Sequence, residues 1–361
     1  MHARGRRRVL VRFPGRICAA VVTAVVWFSW QPNGASALDL QTVNAAELPQ
    51  RPAQKSKGFD PAILRAQVLL DRAGFSPGEI DGRMGENISK AIAAFATARG
   101  LNADRQLTPA LWSELIATSS DPALIEYTIT ADDVKGPFLE KVPAKIEDMR
   151  GLDRLAYGSA AEALAEKFHM SEELLKALNP KKPFEARQTI VVANVNDDVG
   201  NAKVVRIEID KSQRVLRAFN RSENLVGVYP ATVGSREKPA PSGTFKVTSV
   251  TPNPTYRYNP DYAFKGVKAT KPFVINPGPN NPVGSVWIGL SAKSYGIHGT
   301  PNPSQVSKTE SHGCIRLTNW DARRLAAMVG KGTTVDFSGS ENSRQSAAAT
   351  QGARRGSARR R

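Results

Sequence analysis

Lys203-Val204-Val205-Arg206-Ile207-Glu208-Ile209-Asp210 is the stretch in which the chain changes its period. Val205, Ile207 and Ile209 alternate with Arg206, Glu208 and Asp210, which places the apolar side chains on one face of an extended strand. β character continues at Val215 and through residues 225 to 229, 245 to 250 and 286 to 290. Pro- and Gly-rich turns at 239 to 243 and 276 to 284 separate these runs. One helix follows late, capped near Thr318 or Asn319 and carrying Ala322, Leu325, Ala326 and Val329 at helical spacing. Residues 203 to 337 are therefore predicted to form a mainly β domain with one late helix.

Upstream, the spacing is helical. Ile63, Ala66, Leu70 and Ala73 mark one helix face; Ile88, Ala91, Ile92 and Phe95 mark a second, after the turn Asp81-Gly82-Arg83-Met84-Gly85. Thr108 followed by Pro109 opens a third, with Leu111, Trp112 and Leu115. Residues 59 to 118 thus read as a small three-helix domain. A small α+β module is expected over 125 to 196. Its strands lie at Tyr127-Thr128-Ile129-Thr130 and at 189 to 192. Its helices open at Ser159, with Glu162 completing a capping box, and at Ser171. The chain is predicted to be multidomain, with residues 38 to 58, which hold Pro49 and Pro52, as a linker.

The two ends differ from this body. Arg4, Arg6, Arg7, Arg8, Arg12 and Arg16 precede an apolar run at 17 to 30 and the small-x-small tripeptide Ala35-Ser36-Ala37, so residues 1 to 37 read as an export signal cleaved after Ala37. The run is shorter than the ~20 residues of a membrane span, so no stable span is expected after cleavage. Residues 338 to 361 are rich in Ser, Ala, Gln and Arg, lack apolar periodicity and read as a disordered basic tail. The formal charge is +17. Six arginines without an acid fall in the signal, and six with one glutamate fall in the tail, leaving +6 on the body. That modest excess suits an anionic wall or membrane surface. With the basic residues concentrated at the ends and no recognition motif present, nucleic acid is not an expected partner.

Cysteine usage points to chemistry. Of two cysteines, Cys18 leaves with the signal, so Cys314 has no partner for an internal disulfide, a liability in an oxidising compartment. Of the histidines, His2 lies in the signal and His169 elsewhere, while His298 and His312 bracket the thiol. The constellation is Gly296-Ile297-His298-Gly299-Thr300 followed by Ser311-His312-Gly313-Cys314-Ile315-Arg316-Leu317. A thiol is mostly protonated near neutral pH, and a histidine within reach can take its proton and later return it to a leaving amine. His298 ends a β-run able to lie alongside the thiol. Gly313 leaves room for a carbonyl beside the backbone amides, and Arg316 can pair with a substrate carboxylate. Zinc on His298, His312 and Cys314 has suitable ligand types but no compact spacing, so no metal or cofactor is expected.

These two motifs resemble the signature of the YkuD-type L,D-transpeptidases, together with Ala240-Pro241-Ser242-Gly243 ahead of a strand. The resemblance covers 203 to 337 and implies a YkuD-like β-sandwich with Cys314 as nucleophile and His298 as general base and acid. The carbonyl of Gly299 would orient the imidazole, and the amides of His312, Gly313 and Cys314 would hold the oxyanion. Ser311 and the His312 ring would shape the site, and Arg316 would anchor the motif or the substrate. The implied reaction attacks the third, diamino-acid residue of a tetrapeptide stem in peptidoglycan, expels D-Ala and forms a 3→3 cross-link. An envelope lipoprotein amine is an alternative acceptor; water would make the enzyme an L,D-carboxypeptidase. Gln67, Gly74-Phe75, the Asp81-Gly82 turn, Phe95 and Gly100-Leu101 resemble the helical peptidoglycan-binding domain, with Ala66 and Ala96 replacing larger residues. The strand–helix–helix–strand order with Leu178-Asn179-Pro180 resembles a LysM glycan-binding module. Together these imply an exported protein of the periplasm or cell wall with peptidoglycan stem and glycan as partners. The rival from another class is a catalytically silent wall-binding protein. Removing residues 38 to 200 is expected to reduce retention on insoluble wall but to spare activity on small soluble fragments.

Overall fold

The computed structural model describes residues 38–48, 58–235, 237–262, 266–311 and 313–339. The signal read at 1 to 37, His312, and the basic tail beyond residue 339 lie outside the described residues. Among the described residues no helix is long and apolar enough to cross a membrane.

The amino-terminal helices are α1 (Leu40–Asn44), α2 (Pro61–Arg72), α3 (Glu86–Ala98) and α4 (Pro109–Ile116). Helix α1 lies within the segment expected to be a linker and corrects that expectation. Asp39 caps it, Val43 is fully buried, and the Asn44 amide exchanges hydrogen bonds with both backbone groups of Leu124 at 2.8 and 2.9 Å. Asp60 and Thr108 cap α2 and α4, each with Pro at the first helical position. Gln67, buried on α2, donates to Asp81 Oδ1 and accepts from the amides of Asp81 and Gly82, which fixes the turn into α3.

The middle module runs β1 (Leu124–Thr128), α5 (Ala160–Lys167), α6 (Glu172–Leu178) and β2 (Thr189–Ala193), with β1 and β2 antiparallel. Ser159 caps α5 through the Glu162 amide. The Glu162 carboxylate, however, accepts from Gly158 rather than from Ser159, so the predicted box closes one residue early. Asn179 joins the end of α6 to β2 by exchanging hydrogen bonds with both backbone groups of Val191. Its place in Leu178-Asn179-Pro180 is thus a structural one.

The carboxy-terminal domain contains β3 (Arg206–Asp210), β4 (Val215–Phe219), β5 (Leu225–Pro230), β6 (Thr232–Val233), β7 (Gly243–Pro252), β8 (Tyr256–Tyr258), β9 (Phe273–Ile275), β10 (Val286–Leu290), β11 (Gly296–His298), β12 (Ile315–Arg316), α7 (Asn319–Met328) and β13 (Thr334–Ser338). Nine strands form one sheet in the order β5-β4-β3-β13-β7-β10-β11-β12-β6; β8 and β9 pair separately. The long strand β7 pairs with β13 through its first residues and with β10 through the rest, so it belongs to both halves of the sheet. Ile207, Ile209 and Leu216 from one half and Ile288, Ile297 and Ile315 from the other meet Ala322 and Leu325 of α7 in one core. The alternation that opens this domain is thereby explained: Ile207 and Ile209 are fully buried while their charged neighbours are not.

The three parts do not pack as separable beads. Ser76 N–H donates to Val228 O and Val228 N–H to Gly74 O, each at 2.8 Å, which joins the helical domain to β5. Ile80 N–H donates to His169 O at 2.8 Å and Ile80 O accepts from Ser171 N–H at 2.9 Å, which joins the helical domain to the middle module. At the junction Asp71, on α2, is wholly buried, with His169 Nδ1 at 3.0 Å and Arg324 Nη1 of α7 at 3.1 Å. Burial alone would push the His169 imidazole down, but Asp71 and Asp197 outweigh it and raise its pKa to about 9.

Two outcomes follow from this junction. A fragment beginning at residue 201 exposes Val215, Val228, Trp320 and Arg324, all covered in the whole chain. It should lack a cooperative thermal transition, contrary to the separability expected from sequence; a soluble fragment melting as sharply as the parent would refute this. The second outcome concerns pH. A folded pKa near 9 against an ordinary 6.5 means that the His169 contribution is complete below pH 6.5 and is lost as pH rises through 9. Chemical denaturation of the wild type should lose about 2–3 kcal/mol more between pH 7 and pH 10 than that of His169→Gln. Parallel losses in the two proteins would contradict the assignment.

Candidate active site

Strand β11 lies parallel to β12, with Ile297 opposite Ile315 and His298 opposite Arg316. Ile297 and Ile315 are fully buried in the core, so their neighbours in sequence face the other way. His298, Cys314 and Arg316 accordingly line one cavity of about 910 Å³ on the far side of the sheet. This is the adjacency expected for His298. Ser311 also reaches the cavity, while its hydroxyl donates to the carbonyl of Cys314 at 2.6 Å and its amide to Gly234 O at 2.9 Å. Its role in the structure is to hold the turn that presents the thiol. His312, expected to contribute an amide and a ring, lies outside the described residues.

His298 is buried and fixed in one tautomer. Its Nδ1 is 2.7 Å from the carbonyl of Gly299, an acceptor, so Nδ1 carries the proton and Nε2 of the neutral ring keeps a free lone pair. Burial, then the Arg316 cation, push the imidazole pKa down to about 3, against a smaller upward effect of the Gly299 carbonyl. Burial pushes the Cys314 thiol up, against the Gly296 backbone and Arg316. The Sγ donates to Ser294 O at 3.8 Å, a contact that favours the protonated sulfur. Both shifts favour the uncharged forms, the thiol and the neutral imidazole.

Gly313 has φ +103°, and a Cβ there would come within 2.8 Å of the Tyr295 ring, so both conformation and space require glycine. Arg316 Nε is buried without a hydrogen-bond partner, and among the described residues Arg316 has no carboxylate partner.

Further residues build the site without standing out in the sequence. Trp287, the cross-strand partner of His298, stacks on its ring with centroids 5.6 Å apart and planes at 15°, and covers Gly296 so closely that no Cβ would fit there. Asn319, at the start of α7, lies against Gly299: a Cβ on that glycine would meet Asn319 Oδ1 at 2.1 Å. Asn319 also accepts from Ser285 N–H and donates to Glu166 Oε2 of α5 at 2.8 Å. The middle module thus supports the peptide that orients His298. A polar residue directly after the cap Thr318 is the one sequence signal that pointed here.

The sequence pattern of the YkuD family, the L,D-transpeptidase catalytic domain, matches residues 204–336, and that of a peptidoglycan-binding domain matches 60–115. The L,D-transpeptidase YkuD of Bacillus licheniformis is 31% identical over 183 residues, which is 50% of this chain and 94% of that protein. Its Bacillus subtilis counterpart is 29% identical over 49% of this chain and 93% of its own length. The L,D-transpeptidase YbiS of Escherichia coli is 33% identical over 36% of this chain and 44% of its own. The match to a relative along nearly its whole length, together with a family pattern whose residues 204–336 include Cys314 and His298, places this chain in the YkuD family of L,D-transpeptidases, with a peptidoglycan-binding domain at its amino-terminal side.

Proposed function

We propose that this protein is an exported L,D-transpeptidase of the cell envelope that cross-links peptidoglycan stem peptides through a Cys314 acyl-enzyme. The observation that carries the reading is the parallel pairing of β11 with β12, which turns Cys314, His298 and Arg316 into one cavity with the His298 tautomer fixed by Gly299. In the first half-reaction His298 Nε2 takes the thiol proton as Sγ adds to the carbonyl of the third stem residue. The amides of Gly313 and Cys314, with that of His312, receive the oxyanion; one such donor contributes ~3 kcal/mol in comparable sites. As the intermediate collapses, the C–N bond breaks and the imidazolium protonates the departing D-Ala amine, leaving a thioester. In the second half-reaction an amine of a neighbouring stem adds to the thioester, His298 accepts its proton, and the sulfur leaves as the thiol. Water in place of the amine would give trimming, and an envelope lipoprotein amine would give attachment to the wall.

The imidazole is held near 3 and the thiol is raised. Both shifts disfavour proton transfer from thiol to imidazole at rest, so the transfer has to be coupled to the attack. The 60–115 domain would retain the enzyme on insoluble wall, and the LysM-like module is proposed to add glycan contacts.

Carbapenems offer a strained carbonyl at the position of the scissile amide. Protein beginning at residue 38 should gain one drug mass at Cys314, blocked by prior iodoacetamide, whereas Cys314→Ala should gain none and should not turn over stems. An adduct on a serine, or wild-type turnover by Cys314→Ala, would end the acyl-enzyme reading. His298→Ala should slow acylation by roughly a hundredfold or more, more than removal of the His312 ring.

The raised thiol also predicts a pH profile. Iodoacetamide should react slowly with Cys314 at pH 7, accelerating into the alkaline range above the ordinary thiol value. Because the Arg316 cation favours the thiolate, Arg316→Gln should slow alkylation at pH 8. Faster alkylation in that variant would reverse the assigned sign.

A further inference from the structure

Two excursions interrupt the regular pattern of the sequence: residues 131 to 158 in the middle module and 253 to 281 in the catalytic domain. The fold packs them against each other. Met149 and Leu155 from the first join Tyr258, Phe273 and Ile275 from the second in a hydrophobic cluster separate from the main core. Leu155 N–H donates to Pro277 O at 3.0 Å, and its carbonyl accepts from Asn280 N–H at 2.9 Å. Gly278, at φ +152°, passes so close that a Cβ would lie 2.1 Å from the Leu155 carbonyl. This composite wall borders the Cys314 cavity and carries Arg257 on β8 into its lining.

The charge of that lining has one sign. Its charged side chains are Lys238, Arg257, Lys293 and Arg316, and among the described residues no aspartate or glutamate lines it. Arg257 sits in the wall and Lys293 in the turn before Tyr295. Neither has an ion pair among the described residues, and both are exposed to whatever enters. Deeper in the cavity, the buried Arg316 Nε lacks an acceptor. Cations around a partly desolvated cleft favour an anionic guest and penalise a neutral or cationic one.

We propose that Arg257 and Lys293 are specificity-determining residues that make the enzyme favour donor stems with free side-chain carboxylates over stems in which the same groups are carboxamides. The inference rests on the reading of this cavity as the donor-stem site. A carboxylate accepts charge-assisted hydrogen bonds from guanidinium and ammonium; a carboxamide in the same place loses the charge and presents donors to donors. Because both cations are exposed, each should contribute a discrimination of roughly fivefold, weakening with salt.

The test is competition. Full-length protein is given an equimolar mixture of tetrapeptide fragments, identical except for carboxylate or carboxamide side groups, with one acceptor, and products are weighed over time at low and high salt. The wild type should consume the carboxylate form at least tenfold faster at low salt, with the ratio shrinking at high salt. In the double variant Arg257→Gln, Lys293→Gln the ratio should fall to within about twofold, with the thermal midpoint kept. A wild-type ratio near one, or an unchanged ratio in the double variant, overturns the inference while leaving the proposed function standing. Consumption of neither form by the wild type, with Cys314 still open to alkylation, removes the proposed function and the inference together.

Discussion

Asp71 is a carboxylate with no solvent, and a buried charge must be paired or it shifts until it is neutral. Burial would raise its pKa, yet His169 and Arg324 hold it below the usual carboxylate value. Those cations come from different parts of the chain: His169 from the middle module and Arg324 from α7 of the catalytic domain. Removing either module would leave the carboxylate with one of its two cations, and breaking part of a buried charge cluster is among the more destabilising changes known, at ~3–5 kcal/mol where a pair is lost outright. Trp320 stacks on His169 with centroids 5.2 Å apart, so the charge cluster is also packed. Asp321 sits beside it and is driven to about 7 by burial and by Asp71, so it titrates near neutrality instead of in the usual carboxylate range. The helical domain, by sequence resemblance a wall-binding appendage, is in the structure a buried counter-ion for its neighbours.

That junction reaches the chemistry through α7. The same helix that carries Trp320, Asp321 and Arg324 begins at Asn319, and Asn319 sits against Gly299, whose carbonyl orients His298. Gly284, at φ +63°, has no room for a Cβ because Asn319 and the Gly299 peptide occupy the space. Glu166 holds Asn319 from the middle module and also accepts from Tyr157 and Arg323. The imidazole is thus oriented by a peptide wedged between two layers, with the Trp287 ring as the facing wall. A ring so enclosed loses its access to water, and the same enclosure drives its pKa to about 3.

What the sequence made legible was local. The buried positions Ile207 and Ile209 and the caps at Thr108, Ser159, Ser171 and Thr318 are written in short windows, and each lies where its window placed it, whereas Val205 is only half-buried and precedes the strand. The His298 and Cys314 motifs are short windows too, but their pairing is not. What could not be read depends on pairings far apart in the chain. Trp287 belongs to a strand whose β character was evident, but its role requires the register that sets it opposite His298. Helix α1 is five residues long, below what isolated propensity supports; it forms because Val43 is buried and Asn44 binds Leu124 across the fold. The two excursions show no period because neither is an element by itself: each supplies half of a small core. His169 gave no signal, since its importance depends on the carboxylates that surround it.

The enclosure of the pair and the charge of the cavity bear on one another under the proposed mechanism. Burial of His298 and half-burial of Cys314 both disfavour ions, so a thiolate–imidazolium pair is disfavoured at rest relative to the uncharged forms. Yet acyl transfer must develop negative charge on the substrate oxygen in this same space. Arg316, two residues from Cys314 and facing the same way, is a cation without a carboxylate partner among the described residues, while burial pushes its own pKa down. It disfavours the imidazolium at rest and favours whatever negative charge forms nearby, so its field opposes premature protonation of His298 and supports the oxyanion. An entering carboxylate would offset part of that field. The more closely a substrate anion pairs with Arg316 itself, the less remains for the transition state. Anion recognition is therefore better placed at the rim, on Arg257 and Lys293, than on the half-buried Arg316 beside the nucleophile. The composite wall supplies such a position, because it brings Arg257 to the cavity on a strand pair separate from the catalytic sheet.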